Sequence, residues 1–345
     1  MLDQVTPISR LSRRSEAMVR ISALNAWVNA FEPHPTVLGA PFQGWPSIED
    51  DVPLATFVDL AEQISARAGN PWLGWSVGLN FDLIGLGEIS RAISASRSLR
   101  GALQRIVDYF AILQDACEVR LDVTDKDASI SYRILDPDIW PRRQDALFTL
   151  GIFAKIIRNA VGPAWSEAEV VLEADDIVQK ADAGKILGAH CTIDGETNLI
   201  RFPASMLDLP LGMRGDTSLP NHARLTREVA LRRRRMPATL RVRTMIFQGL
   251  TDGEFTQDSV ARSLGMSSRT LRRRLSEEGV SFQHLLDECR MRLAAFEFRV
   301  REHVSIAQTA LRLGYSEHST FTRAFSRWSG MPPQRYIRAA REVAH

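Results

Sequence analysis

Two stretches of this sequence follow one plan, and the plan leaves few folds open. In Ala307 to Pro333 a short helix is expected to end near Leu313, with Gly314 making the turn. Ser316 is placed to cap a second helix running to about Trp328, and Gly330, Pro332 and Pro333 stop it. On that helix Phe321 and Phe325 fall at i, i+4 and point inward, while Thr320, Arg323 and Arg327 fall at i, i+3, i+7 and point outward. The other stretch repeats this. Thr256 caps a helix with Val260, Ala261 and Leu264 inward, and Gly265 turns the chain. Ser267 or Ser268 then caps a helix with Leu271 and Leu275 inward and Arg269, Arg272 and Arg273 outward.

A helix with an apolar inner face and an outer face of hydroxyls and guanidiniums suits a DNA groove, because an Arg can fork onto guanine or hold a phosphate. A solvated basic face is the bland alternative. Spacing and charge decide between them. A helix from Phe282 to about Arg299, with Phe282, Leu285, Leu286, Cys289, Leu293 and Phe296 inward, separates the two units. At about 1.5 Å per residue it holds them a few tens of ångströms apart, near the ~34 Å between successive major grooves. From Asn221 onward the chain carries 23 Arg, no Lys and 12 acidic residues, a surplus of eleven positive charges, whereas the part before it is negative by nine. The expected partner of the back half is double-stranded DNA, with two adjacent major grooves occupied per protomer. The candidate contacts are Ser268, Arg269, Thr270, Arg272 and Arg273 in the first unit. In the second they are His318, Ser319, Thr320, Arg323 and Arg327. For Arg274 and Arg327 a phosphate contact is the better reading.

The acidic front half reads differently. Ser15 to Phe31 has helical spacing, and Phe57, Leu60, Ala61, Ile64 and Ala68 form an amphipathic stripe ended by Gly69-Asn70-Pro71. Trp72 to Gly87 carries two Trp, Phe81 and four glycines with almost no charge, and reads as a buried loop or a strand. Its aromatic wall makes Trp72, Trp75 and Phe81, with Tyr109 and Tyr132, the candidates for binding an effector, against the plain reading that each is core. Ser98 caps a helix. Cys117, Val119, Leu121 and Val123, then Ile130, Tyr132 and Ile134, alternate as a β-hairpin. Gln144 to Ala160 is apolar on most sides and therefore central, Glu167 to Leu172 is a strand, and Asp175 or Asp176 can cap a helix to Leu187. His190 to Phe202 reads as a second hairpin turning at Asp194-Gly195.

The expected organisation is an α+β N-terminal domain, helices on a small mostly antiparallel sheet, over 15–211, and a linker over 212–236. An all-α domain with two helix-turn-helix units, about 256–279 and 305–329, follows over 237–341. The Arg232–Arg235 run reads as a solvated helix end.

At this point the back of the chain resembles the DNA-binding domain of the arabinose-regulator (AraC/XylS) family of bacterial transcription regulators. The resemblance rests on Leu264-Gly265-Met266-Ser267, Arg269 to Leu275, Gly279-Val280-Ser281-Phe282, Arg290-Met291-Arg292-Leu293-Ala294, Leu313-Gly314-Tyr315-Ser316, Phe321 to Phe325 and Gly330-Met331-Pro332-Pro333. The departures are Tyr315 where the family usually has Phe, and Met331 where a small polar residue is common. Less tightly, Pro53 to Phe57, Ser98 to Leu103 and Phe202-Pro203 resemble the effector-sensing domain of one branch of that family, which is not the jelly-roll barrel of the arabinose sensor itself. The resemblance implies a transcription activator controlled by a small-molecule effector at the front domain, a homodimer, and contact with RNA polymerase. A regulator with no ligand is the alternative.

Other classes find little support in the residues. The three cysteines, Cys117, Cys191 and Cys289, are scattered and form no CxxC pair. No HExxH, GxSxG or phosphate-cradling glycine loop occurs, so an enzyme with a DNA-binding tail is the remote reading, and no catalytic residue, metal ligand or cofactor is expected. Met1 to Arg20 is polar and basic without an apolar segment, and no run reaches the length of a membrane span. A cytoplasmic protein is expected.

Overall fold

Residues 17–20, 27, 51–173, 180–195, 197–212, 219–249, 256–301 and 304–344 are described by the structure, a computed structural model. They divide into two units. The N-terminal unit comprises Ala17–Ile134 and Ile139–Arg234, and the C-terminal unit comprises Arg235–His345 and the short segment Leu135–Asp138. The expected caps at Asp175 and Asp176 lie outside the described residues.

The N-terminal unit is built on a five-stranded sheet of order β3-β4-β7-β5-β6, where β3 is Cys117–Val123, β4 Asp127–Ile134, β5 Glu169–Glu173, β6 His190–Gly195 and β7 Asn198–Pro203. All its pairings are antiparallel except β5 with β6. The β3–β4 hairpin forms as expected, with Cys117 opposite Ile134 and Val123 opposite Ala128. Of these two strands only β4 has a fully buried face (Ala128, Ile130, Tyr132, Ile134), because β3 is the edge of the sheet, where Cys117, Val119 and Leu121 are half-buried and Val123 is exposed.

The second expected hairpin does not exist. β6 lies parallel to β5, joined to it through helix α6 (Lys180–Leu187), as a parallel pair requires a crossover. β7 then passes to the other edge of β5, so β5 stands between the two strands that the Asp194-Gly195 signal would have paired. A second correction concerns Ser15 to Phe31. Met18–Arg20 is a strand, β1, paired antiparallel with β2 (Asp51–Pro53).

Helix α1 (Leu54–Ala68) buries the expected Phe57, Ala61 and Ile64. The stretch read as loop or strand is instead helix α2 (Leu73–Asn80), followed by a 3-10 turn over Leu83–Leu86. Its glycines explain the reversal. They are poor helix formers in isolation, but a Cβ on Gly74 would meet the Gln144 carbonyl oxygen at 2.3 Å, and one on Gly78 would meet that of Phe148 at 2.2 Å. Helix α5 (Arg143–Val161) contributes Gly151, whose Cβ would meet the Trp75 carbonyl oxygen at 2.7 Å. Bare backbone on both helices is what lets them touch, and Gly74 N–H donates to the Gln144 side chain at 2.8 Å in the seam. α5 is buried on most of its surface and is the central helix, as its composition predicts. Helices α3 (Glu88–Ser94) and α4 (Leu99–Tyr109) complete the layer, the latter capped by Ser98.

The expected linker contains helix α7 (His222–Arg235), most of which belongs to the N-terminal unit. Arg232 is not solvated. It donates to Asp115 at 2.8 Å, to both oxygens of Asp51 at 3.0 Å, and to the Met18 carbonyl at 3.2 Å.

The C-terminal unit is all helix: α8 (Ala238–Gly249), α9 (Gln257–Ser263), α10 (Ser268–Glu277), α11 (Phe282–Val300), α12 (Ile306–Arg312), α13 (His318–Ser329) and α14 (Pro333–Ala344). The Glu278 carboxylate receives the Ala238 and Thr239 amides at 2.7 and 2.9 Å, closing the N-terminus of α8. Burial pushes that carboxyl up, but the two amide hydrogen bonds outweigh it and hold it below its ordinary value. Two clusters form the core. Val242, Ile246, Val260, Leu271, Leu275 and Leu285 make the first, and Phe298, Ala310, Leu313, Phe321 and Phe325 centre the second. Both draw on α11, whose inner stripe shifts along its length. Phe282, Leu285, Leu286 and Cys289 are buried as expected, but Phe298, not Phe296, is the buried aromatic at the far end, because there the helix serves the second core. Leu135 joins the first cluster, and Arg292 binds Asp138 at 2.7 Å and Glu288 at 2.6 Å.

Candidate nucleic-acid interface and ligand cavity

The two repeats close their turns with the same pair of hydrogen bonds. Gly265 N–H donates to the Arg262 carbonyl and Met266 N–H to that of Ala261, both at 3.0 Å. Gly314 N–H donates to that of Leu311 at 3.0 Å and Tyr315 N–H to that of Ala310 at 2.9 Å. Both glycines have positive φ, +67° and +81°, which this closure of a helix end favours. α9 carries a full capping box between Thr256 and Ser259, and Ser267 caps α10 by accepting the Thr270 amide at 3.2 Å.

The second turn is one residue longer. α13 begins at His318, so the N-cap is Glu317 and not Ser316, and the Glu317 carboxylate accepts from Ser319 Oγ at 3.2 Å rather than from a helix amide. Counting from the buried residues, Thr270 corresponds to Thr320 and Arg269 to Ser319.

Arg269, Arg272, Arg273, His318, Ser319, Thr320, Arg323 and Arg327 are exposed on the outer faces of α10 and α13, opposite the buried Leu271, Leu275, Phe321 and Phe325. Ser268 and Thr270 are half-buried and already engaged: the Ser268 hydroxyl bonds Asp258, and the Thr270 hydroxyl lies 2.9 Å from that of Ser267. Arg269, Arg272, Arg323 and Arg327 have no ion pair among the described residues. Arg273 lies 3.6 Å from Glu277, an exposed pair that solvent screens.

The N-terminal unit contains a cavity, partly open to solvent, with thirteen apolar and four polar lining residues. α5 supplies one wall with Asp145, Phe148, Thr149, Ile152, Phe153 and Ile156, a stripe at i, i+3, i+4, i+7, i+8, i+11. Val19 and Arg20 of β1, Phe57 of α1, Ile89 and Ile93 of α3, and Phe110, Leu113 and Gln114 beyond α4 line much of the remainder. At its polar end the Tyr132 hydroxyl donates to Asp145 Oδ2 and receives Gln114 Nε2 at 2.6 Å. Burial pushes the Asp145 carboxyl up to about 7, against the lowering effect of the Tyr132 hydrogen bond. Burial likewise raises Tyr132 well above its ordinary value.

Of the five residues predicted to bind an effector, only Phe81 lines this cavity; Tyr132 lies outside the lining and bonds two of its residues, Asp145 and Gln114. Trp72 is buried outside its lining. Trp75 faces Trp165, ring centroids 6.4 Å apart, with the Arg158 guanidinium over both rings. Tyr109 bonds His222 Nδ1 at 2.9 Å. The glycine seam between α2 and α5 sends the Trp75 side chain away from the cavity. Asp145, Thr149 and Gln114 escaped the sequence reading. Asp145 and Thr149 left a usable signal: two polar residues at i, i+4 on a helix otherwise apolar on most sides.

Among the described residues no metal-ligating cluster occurs, and no helix is long and apolar enough to cross a membrane. Burial raises all three cysteine thiols, Cys191 to about 11, which leaves them without the thiolate a nucleophile needs.

Over residues 47–211 the chain matches the family described as the arabinose-binding domain of the AraC transcription regulator, N-terminal, and over 260–339 the family described as helix-turn-helix domain. It is 32% identical over 288 residues to an uncharacterized HTH-type transcriptional regulator of Mycobacterium tuberculosis, covering 77% of this chain and 78% of the relative. It is 25% identical over 288 residues to the ornithine utilization regulator of Pseudomonas aeruginosa, covering 82% and 83%. A crystal structure of the transcriptional regulator CdpR from Pseudomonas aeruginosa is 21% identical, with a TM-score of 0.42, over 91% of this chain and 98% of that one.

Proposed function

The chain belongs to the AraC family of DNA-binding transcription regulators, and on that premise we propose that a small effector in the N-terminal cavity sets its affinity for DNA. One observation carries this reading: a residue of the cavity wall, and the chain neighbour of another, hold helix α7. Arg20 lines the cavity and forms an ion pair with Glu228 of α7. Gln114 lines it too, and the next residue, Asp115, binds Arg232 of α7 at 2.8 Å. In sequence α7 runs directly into the DNA-binding part. A ligand that repositions Arg20 or Gln114 therefore changes the anchoring of α7, and any difference in ligand affinity between two arrangements of that helix becomes a difference in DNA affinity.

The cavity also narrows the effector. A sugar needs a dense set of hydrogen-bonding partners, and four polar side chains among seventeen do not provide one. A mainly apolar compound fits the lining.

On the DNA side, α10 and α13 are the recognition helices, with 237–341 as the DNA-binding domain. They enter adjacent major grooves, with base contacts from Arg269, Arg272, Arg273, Thr320 and Arg323 and a phosphate contact from Arg327. Activation, homodimerisation and contact with RNA polymerase follow from the family resemblance. The test is fluorescence anisotropy of the full chain on the DNA upstream of its own gene, with and without a panel of small metabolites. At least one compound is expected to shift the affinity, and Ile93→Trp, which fills the cavity, is expected to abolish the shift. A shift that survives this substitution puts the effector outside this cavity, and affinity that no compound changes favours a regulator controlled by its abundance.

A further inference from the structure

The cavity contains an acid without a bonded counterion. Asp145 is 1% exposed, and its one hydrogen-bond partner among the described residues is the Tyr132 hydroxyl. Gln114 spends its amide on the same hydroxyl. The cations nearby are held by other carboxylates: Arg20, which also lines the cavity, pairs with Glu228 through one terminal nitrogen while its buried Nε has no partner among the described residues, and Arg142 binds Glu173 at 2.6 Å and the Ile134 carbonyl at 2.7 Å. Arg142 is close enough to be felt electrostatically by Asp145, but so is Glu62, which acts in the opposite sense. Thr149, one turn along α5 from Asp145 on the same face, adds a hydroxyl oxygen. The remaining wall is hydrocarbon.

A carboxylate in such surroundings is costly unless it is paired, and low local dielectric strengthens whatever pair it makes. Once Asp145 is ionised, an anionic ligand meets its repulsion and a neutral one leaves the carboxylate without a counterion. Building on the reading of this cavity as the effector site, we propose that the effector is a compact, mainly apolar amine whose protonated nitrogen pairs with Asp145 and donates to Thr149, while its hydrocarbon body lies against Phe110, Phe148 and Ile152. Tyr132 then positions the carboxylate by occupying its other oxygen.

The pH behaviour follows. The groups facing Asp145 are Tyr132, Glu62, Cys117, Arg142 and the ligand itself. Burial keeps Tyr132 and Cys117 neutral near pH 7, and an alkyl ammonium with a pKa of roughly 10, like that of Lys, stays charged. Asp145 is the acid that ionises across that range, and amine binding strengthens as the pH rises through about 7.

Calorimetric titration of the full chain with three probes of one shape tests this: 2-phenylethylamine, 2-phenylethanol and 3-phenylpropionate. The amine is expected to bind at least about tenfold more tightly than the alcohol, with the acid weakest. Asp145→Asn is expected to bring the amine to the level of the alcohol while cooperative unfolding is kept. Alcohol or acid binding as tightly as the amine overturns the proposal, as does amine affinity indifferent to Asp145→Asn or falling as the pH rises. If no probe binds while Ile93→Trp still removes a metabolite response on DNA, the amine class falls and the effector reading stands. If the amine binds through Asp145 but nothing alters DNA affinity, the site stands and the effector reading falls.

Discussion

Arg273 and Arg323 stand at the same point of their two helices, each two residues beyond the first inward side chain, Leu271 in α10 and Phe321 in α13. Their neighbours differ. Arg273 has Glu277 one turn on, whereas Arg323 has Arg327 there. Arg323 is therefore the less restrained of the two and sits in the more positive field. Arg323→Ala is expected to cost about 1–3 kcal/mol on the cognate site and far less on unrelated DNA. Anisotropy titrations on both DNAs check it, and equal losses would make Arg323 a phosphate contact.

The Asp145 carboxyl makes stability depend on pH even without ligand. Its folded pKa, about 7, lies above its ordinary 3.8, so the native state holds a proton that the unfolded chain releases. Stability from this group is complete at low pH and is lost as the pH climbs from about 4 to about 7. From the size of the shift the full loss is on the order of 4 kcal/mol. Asp145→Asn should flatten that part of the profile and be the more stable protein at pH 8, as read from urea unfolding of both proteins across the window.

The α2–α5 seam has no room for a side chain. In Gly78→Ala the new Cβ would meet the Phe148 carbonyl oxygen at 2.2 Å and Gly151 Cα at 2.9 Å, both backbone atoms that cannot swing away. We expect a loss of about 3 kcal/mol or more, at or above the upper end for overpacking, measured by chemical denaturation. Gly69→Ala is the control. Its Cβ would meet nothing within 4 Å, so only the positive φ of 61° is strained, at roughly 1 kcal/mol.

Arg232→Ala removes the one cation bonded to Asp115 among the described residues, and Asp115 is 8% exposed; it also releases Asp51. Breaking such a pair from one side costs about 3–5 kcal/mol, so the N-terminal unit is expected to melt earlier in calorimetry. If α7 carries the effector signal, DNA affinity in this variant should also stop responding to ligand. A full response would show that the signal travels another way.

Arg292 plays the matching part in the C-terminal unit. It is 6% exposed and faces Asp138, Glu288 and Asp136. Arg292→Met takes the shared cation from three carboxyl groups, of which Glu288 keeps Arg243 at 3.1 Å, and a destabilisation toward the lower end of about 3–5 kcal/mol is expected by thermal unfolding.

The sequence by itself determined the parts whose causes are local. Caps at Thr256, Ser267 and Ser98, stripes such as Leu271–Leu275 and Phe321–Phe325, and the positive-φ turns at Gly265 and Gly314 are written within a few residues. A helix end needs only its own backbone groups satisfied. The α+β character of the front and the β3–β4 hairpin were legible for the same reason. Tertiary structure decided what depends on distant partners. Asp194-Gly195 carries a turn signal, but strand pairing is settled across the sheet, and β5 took the place between β6 and β7. Leu73–Asn80 is a poor helix by propensity, yet it forms one because Gly74, Gly78 and Gly151 allow two backbones to meet. The cavity belongs wholly to this second kind. Asp145 and Gln114 lie 31 positions apart in sequence, and only packing brings them to one hydroxyl, that of Tyr132.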